Sequence, residues 1–281
     1  MAYEFQQAQN LVNMKTLHTY SIGDIHGRND WMYFTHGSTQ DFEMWKTAVE
    51  NGAPVDDDLW QEDFDNFTRY DKIIFVGDYV DSFTVSNVEM KKNLEDIIFF
   101  KKMLPDKVVL LLGNHDIQYI VPDQWCSGFR PEMKHDFYDI FYQNLSLFQM
   151  AYQAGNTLWT HAGVTEGWLK ELYKEMFNPN HRHYYSLKLA TNWNVADQIN
   201  HAWEHRLDIL YAVDHHSGGS QQWAGPLWVR PRVLNEFRQK EYFQIVGHTP
   251  QRKIWETENT AYIDCLEHGD KGDCYYREIE I

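Results

Sequence analysis

One pattern, repeated five times, constrains this chain more than any other feature. A short run of β-branched and aromatic residues breaks at once into a turn bearing an acid, an amide or an imidazole next to glycine. Thr19–Ile22 runs into Gly23-Asp24-Ile25-His26-Gly27, and Lys72–Val76 into Gly77-Asp78-Tyr79-Val80-Asp81. Lys107–Leu112 runs into Gly113-Asn114-His115-Asp116, Asn156–Thr160 into His161-Ala162-Gly163, and Tyr242–Val246 into Gly247-His248-Thr249. Short apolar runs of this kind read as buried strands. Asn87–Met103 carries apolar residues among lysines and acids and stops before Pro105, as a helix does; 132–152 and 196–212 also read as helical. Cys274 to Ile281 alternates as a final strand. Strands alternating with helices make an α/β fold, and such sheets gather ligands beyond the carboxyl ends of their strands. All five motifs sit at that end, so one fold can draw them into one crevice.

The residue types in those turns suit one kind of chemistry. A phosphate ester resists hydrolysis because its negative charge repels nucleophiles. Two divalent cations about 3.5–4 Å apart neutralise its oxygens, acidify a water and align it for in-line attack. Such cations take carboxylate, amide oxygen and imidazole ligands, and a shared carboxylate is needed to hold two of them that close. Asp24, His26, Asp78, Asn114, His161 and His248 supply this set, each from a glycine-bounded turn. Any one of the motifs alone is an ordinary turn; five in order at strand ends form a site.

The series resembles the calcineurin-like metallophosphoesterases, closest to the phosphoprotein-phosphatase type and its bacterial and phage relatives, over about residues 18 to 264. The resemblance implies a four-layer α/β/β/α sandwich with two metals at its edge, manganese first, with iron, zinc and nickel as alternatives. It implies Asp24 and His26 as ligands of one metal, Asp78 as the bridge, and Asn114, His161 and His248 as ligands of the other. His115 matches the acid that protonates the leaving oxygen, and Asp81 the carboxylate that orients it. An imidazole beside a carboxylate is indeed a better-placed acid near neutral pH.

The match fails at one point. The branch normally continues Gly-Asp-x-Val-Asp with Arg-Gly, and that arginine grips the phosphate; here Ser82-Phe83 follow. Arg230, in Pro226-Leu-Trp-Val-Arg-Pro231, resembles a second phosphate-binding arginine of bacterial members. Arg28, directly after the first motif, and Arg130, in a Gly-Phe-Arg-Pro loop, are candidates for the missing guanidinium, with an ordinary surface ion pair as the alternative for each. Asp214-His215-His216 reads as an exposed loop, since the five motifs already fill the ligand set.

Composition narrows the partners. With 25 Lys and Arg against 41 Asp and Glu the net charge is −16, so non-specific nucleic-acid binding is not expected. Three cysteines without a C-x-x-C pair fit a reducing compartment. The start of the chain lacks the basic and apolar regions of a signal peptide, and no apolar run approaches a membrane span; a cytoplasmic protein is expected. The 281 residues read as one metallophosphoesterase domain with insertions at about 36–68 and 165–225, either solvated decoration or a substrate-selecting cap. The expected activity is metal-dependent hydrolysis of phosphate monoesters, on a phosphorylated small molecule or a phosphoprotein. The competing expectation is a nucleotide phosphodiesterase or dinucleoside-polyphosphate hydrolase, motivated by the lost arginine and the aromatic insertions. A non-catalytic scaffold would have lost a ligand or His115, and all are present.

Overall fold

Each of the five apolar runs is a strand in the computed structural model, which describes residues 15–55, 69–177, 193–214, 216, 218–267 and 274–281. The described chain runs β1 (Thr16–Ile22), α1 (Trp31–His36), α2 (Thr39–Glu50), β2 (Lys72–Phe75), α3 (Asn87–Met103), β3 (Val108–Leu111), α4 (Asn114–Ile120), α5 (Lys134–Gln143) and β4 (Phe148–Gln149). It continues through β5 (Ala151–Ala154), β6 (Thr157–Thr160), α6 (Glu166–Met176), α7 (Val195–Glu204), α8 (Pro231–Phe237), β7 (Phe243–Val246), β8 (Trp255–Glu256), β9 (Thr260–Tyr262) and β10 (Tyr275–Glu280).

The strands form two sheets of five, ordered β10-β1-β2-β3-β4 and β5-β6-β7-β9-β8. In the first, β1 to β4 pair in parallel and β10 closes the edge antiparallel to β1. In the second, β6, β7 and β9 are parallel, flanked by antiparallel β5 and β8. Side chains alternate across each strand, and this alternation builds the layers. Ile74, Val76, Val109 and Leu111 meet Trp159, Ile245 and Ile263 between the sheets. Ile73, Phe75, Val108 and Leu110 face the other way, into a core with Trp31, Trp45, Leu94, Ile97 and Phe100 of the helices. On the second sheet Leu158 joins Trp168 of α6 and Ile199 of α7 in that core, and α8 packs Val233 and Leu234 with Val246 and Tyr262. The result is the expected α/β/β/α sandwich. Trp159 also donates to Ser21 Oγ across the sheets at 2.9 Å.

Helix α3 has the bounds its sequence suggests because Ser86 and Glu89 form a capping box. Two helical expectations are shortened. The stretch 132–152 is helical only to Gln143; Asn144 ends α5, and Phe148–Gln149 and Ala151–Ala154 are strands. Pairing with β3 and β6 overrides an apolar spacing that suits either period. The stretch 196–212 is helical from Val195, capped by Asn194 with Asp197, but only to Glu204. The described parts of both expected insertions help to build the core: Phe42 and Trp45 of α2 and Trp168, Leu172 and Ile199 of α6 and α7 are fully buried. Residues 56–68, 178–192 and His215 lie outside the described ones. No described helix is long and apolar enough to cross a membrane.

Candidate active site

The turns after β1, β2, β3, β6 and β7 converge at one end of the sandwich, where the two sheets meet. Their backbone is unusual. His26, Asp78, Asp81 and His248 have φ of 44°, 53°, 67° and 67°, a left-handed conformation that costs non-glycine residues of order 1–3 kcal/mol each and collects at functional sites. The adjoining glycines allow the turns to pack against each other's carboxylates. A Cβ on Gly113 would lie 2.1 Å from Asp78 Oδ1, and one on Gly247 1.9 Å from Asp24 Oδ1.

Asp78 is the hub. His161 Nδ1 donates to Val76 O at 2.9 Å, and His26 Nδ1 to Val80 O at 3.0 Å. A carbonyl only accepts, so each ring presents Nε2 as its lone-pair nitrogen when neutral. Both Nε2 atoms face the same oxygen, Asp78 Oδ2, at 3.3 Å and 3.8 Å. Asp78 thus belongs to two groups of candidate metal ligands, one with His26 and His115 and one with His161 and His248, each within 4.8 Å. Asn114 Oδ1 lies 2.9 Å from both His161 Nε2 and His248 Nδ1. Asp24 sits beneath, accepting from His248 N at 2.9 Å. His248 Nε2 is buried without a hydrogen-bond partner.

Helix α4 begins inside the site. Its second residue, His115, donates its backbone N–H to Asp78 Oδ1 at 2.9 Å, so a helix N-terminus steadies the shared carboxylate. The His115 ring donates from Nδ1 to Asp81 Oδ2 at 3.1 Å. Asp81 is held in turn by Tyr119 Oη at 2.5 Å and by the Gln118 amide. Asp116 takes the backbone N–H groups of Asp78, Tyr79 and Gly113 at 2.8–2.9 Å, fastening the β2 turn to the β3 turn.

The electrostatics call for cations. Burial and the neighbouring Asp264 raise the Asp24 carboxyl well above its usual range; burial and Asp78 raise Asp264 to about 7. Burial opposes ionisation of Asp78 too, but His161 and His115 outweigh it and hold the group low. Burial would lower His161, yet Asp78 and Asp24 push it up to about 9. A raised carboxyl marks a charged form without enough positive partners, so a cation placed among these groups would stabilise them ionised, and oxygen and imidazole donors are in place to take divalent ions. These residues fit a dinuclear metal centre.

Residues 17–256 match the family model described as calcineurin-like phosphoesterase. The chain is a member of that family. No curated protein matches it in sequence. Its fold is similar to a cold-active protein-tyrosine phosphatase from a psychrophilic Shewanella, at 14% identity and a TM-score of 0.53, covering 94% of this chain and 75% of that one. A further structure of a cold-active protein tyrosine phosphatase gives 16% identity and 0.52, covering 94% and 74%. At such identities the likeness is one of fold.

Over the candidate ligands, this phosphoesterase has a cavity of about 470 Å³, lined by His26, Asp78, Asn114, His115 and His248 and also by Arg230. Arg230, just before α8, is braced by Nε donation to Gly218 O at 2.8 Å and Nη1 to Thr249 Oγ1 at 3.3 Å. The other two arginines are held by protein groups. Arg28 pairs with Glu267 at 3.0 Å and lines a separate hollow with Met32 and Lys92. The Arg130 guanidinium donates to Asn87 Oδ1 and to the carbonyls of Ser82 and Val85, so it clamps the loop after the second motif. Ser82 Oγ accepts from the N–H of Thr84 and of Val85 and closes a turn.

Several site residues escaped the sequence reading. Asp264 and Glu267 line the cavity, with Trp125, Cys126 and Trp228. Asp264 had a signal: Thr260–Ile263 is another short apolar run ending in an acid, without the adjacent glycine. Gln118 and Tyr119 lay one helical turn beyond His115, where helical spacing places them beside Asp81's partner.

Proposed function

We propose that this phosphoesterase hydrolyses phosphate monoesters, on small molecules and phosphoproteins, using two divalent ions. Manganese is the first choice, with iron, zinc and nickel as alternatives. Asp24, His26 and Asp78 would hold one ion; Asp78, Asn114, His161 and His248 the other. When bound, the pair supplies charge neutralisation at the phosphate and an acidified water. The chain's own groups do the rest. Arg230 offers a guanidinium, fixed by Gly218 and Thr249, to the phosphate oxygens. His115 gives a proton to the leaving oxygen, and Asp81 fixes its ring with Nδ1 protonated, leaving Nε2 for the substrate. Gln118 and Tyr119 keep Asp81 in place. The observation that carries this reading is the single oxygen, Asp78 Oδ2, facing the imidazoles of both ligand groups while His115 is tethered to the same carboxylate.

A second reading has support at the cavity wall. Phe83 and Trp125 are 75% and 58% exposed there, and exposed rings can stack on bases, which would suit a nucleotide diester or dinucleoside polyphosphate. Hydrolysis of p-nitrophenyl phosphate and of bis-p-nitrophenyl phosphate, each with manganese and with chelator, separates the two. Metal-dependent preference for the monoester is expected. Preference for the diester would transfer the assignment to the second reading, and no turnover of either ester by the metal-loaded enzyme would overturn both. We place the activity in the cytoplasm on the reading that three cysteines without a C-x-x-C spacing fit a reducing compartment.

A further inference from the structure

Outside the catalytic cavity, one more cluster of metal-binding side chains occurs among the described residues, on the last turn of α7. His201, Glu204 and His205 stand at i, i+3 and i+4, so they share one helical face. A ring nitrogen of each histidine and a Glu204 carboxylate oxygen lie within 4.8 Å of one another. The two imidazole centroids are 4.2 Å apart, and His201 Nδ1 is 3.7 Å from Glu204 Oε2.

Two details organise the turn for coordination. His205 Nδ1 lies 2.9 Å from the His201 carbonyl oxygen. That oxygen only accepts, so Nδ1 carries the proton and Nε2 presents a lone pair when the ring is neutral. Trp193 packs on the His201 ring with centroids 4.6 Å apart, limiting its rotation. Metal binding takes both rings in their neutral form.

We propose that His201, Glu204 and His205 form a metal site separate from the catalytic centre. It takes one transition-metal dication of the zinc type, with water completing the shell. Two imidazoles and one carboxylate favour zinc, nickel or copper over magnesium or calcium, which prefer oxygen. The ion would tie together the turn in which α7 runs out of internal hydrogen bonds. From there the chain passes Asp208–Tyr211 and reaches Val213, Gly218 and Arg230, all on the catalytic cavity wall. A metal here would therefore brace the root of the segment that carries the cavity arginine. The proposal is independent of the phosphate-ester reading.

Zinc content decides it. Chelator-stripped full-length protein, dialysed against buffered zinc and washed, is analysed for metal per chain beside His205→Asn and Glu204→Gln. Each variant is expected to retain one zinc fewer than the parent, however many the catalytic centre holds. Glu204 is 70% exposed in its side chain, so Glu204→Gln decides the matter if His205→Asn does not fold. Asp78→Asn, which disables the catalytic ligands, should still retain the α7 zinc. Equal zinc in the parent and in every folded α7 variant would overturn the site, as would complete loss of zinc from Asp78→Asn.

Discussion

Asp81→Asn tests the proposed proton donor, His115, without touching it. Asp81 is buried and accepts three hydrogen bonds, from His115 Nδ1, Tyr119 Oη and the Gln118 amide. Asparagine keeps the volume but has one acceptor oxygen and an NH₂ group. With Tyr119 satisfied at the Oδ1 position, its NH₂ faces both His115 and Gln118, which share the other oxygen in the parent, donor against donor. What His115 loses is a hydrogen bond to a charged group, about 1.5–3 kcal/mol. At 1.36 kcal/mol per decade, kcat falls by about 10- to 150-fold where leaving-group protonation limits the rate. The pH profile should move as well. Burial lowers the His115 pKa, but Asp78 and the bond to Asp81 outweigh it and hold the ring well above its ordinary value. The acid works while protonated, so its contribution is present at low pH and fades as pH rises through that pKa. Removing Asp81 lowers the pKa and shifts the alkaline limb of kcat to lower pH. The assay is steady-state phosphate release at saturating manganese from a phosphoserine peptide and from p-nitrophenyl phosphate, whose phenolate leaves without a proton. The peptide should suffer the full loss and the aryl ester much less, with metal content unchanged. Equal losses on both esters with an unmoved alkaline limb would refute the assignment.

Three other outcomes follow from the geometry. Asp78→Asn should abolish turnover and release both catalytic ions under dialysis; retention of both would end its assignment as the bridge. Arg230→Ala and Arg130→Ala should separate two kinds of arginine. The first should lower kcat/KM by about tenfold or more, the value of one charge-assisted hydrogen bond, and lower Tm less than the second, since it frees the single carbonyl of Gly218. The second should leave kcat/KM near the parent's but, by freeing the carbonyls of Ser82 and Val85, cost about 1–3 kcal/mol of stability, read as a lower Tm; the reverse pattern would exchange their roles. Gly247→Ala puts a Cβ 1.9 Å from Asp24 Oδ1, so the variant should bind metal more weakly in equilibrium dialysis, and parent-like affinity would show that Asp24 is not a ligand.

The five motifs were legible because each combines two local signals, a strand that must be buried and a turn that must be sharp. Those signals place Asp24, Asp78, Asn114, His161 and His248 at strand ends, and parallel topology then brings the ends together. What could not be read locally was settled by partners distant in sequence. Phe148–Ala154 has an apolar spacing that serves helix or strand, and pairing with β3 and β6 decides it. Arg130 looked like any arginine near a site; only the fold shows its guanidinium donated to Ser82 and Val85. Asp264 lies 240 residues from Asp24 in the sequence, yet its charge is the strongest acidic neighbour Asp24 has.

That acidic neighbour bears on how the substrate binds at all. The chain has a net charge of −16, and its site adds Asp24, Asp78, Asp81, Asp264 and Glu267 around the position a phosphate must occupy. Arg230 is the cavity's arginine; Arg28 is already paired with Glu267. Without cations the site offers a phosphate dianion one guanidinium beside the ionised Asp78, so its attraction within the screening length, about 8 Å in physiological salt, is weak. Bound cations strengthen that attraction. On the proposed dinuclear reading, metal occupancy should govern substrate affinity as well as turnover, and partial chelation should raise KM before activity is lost.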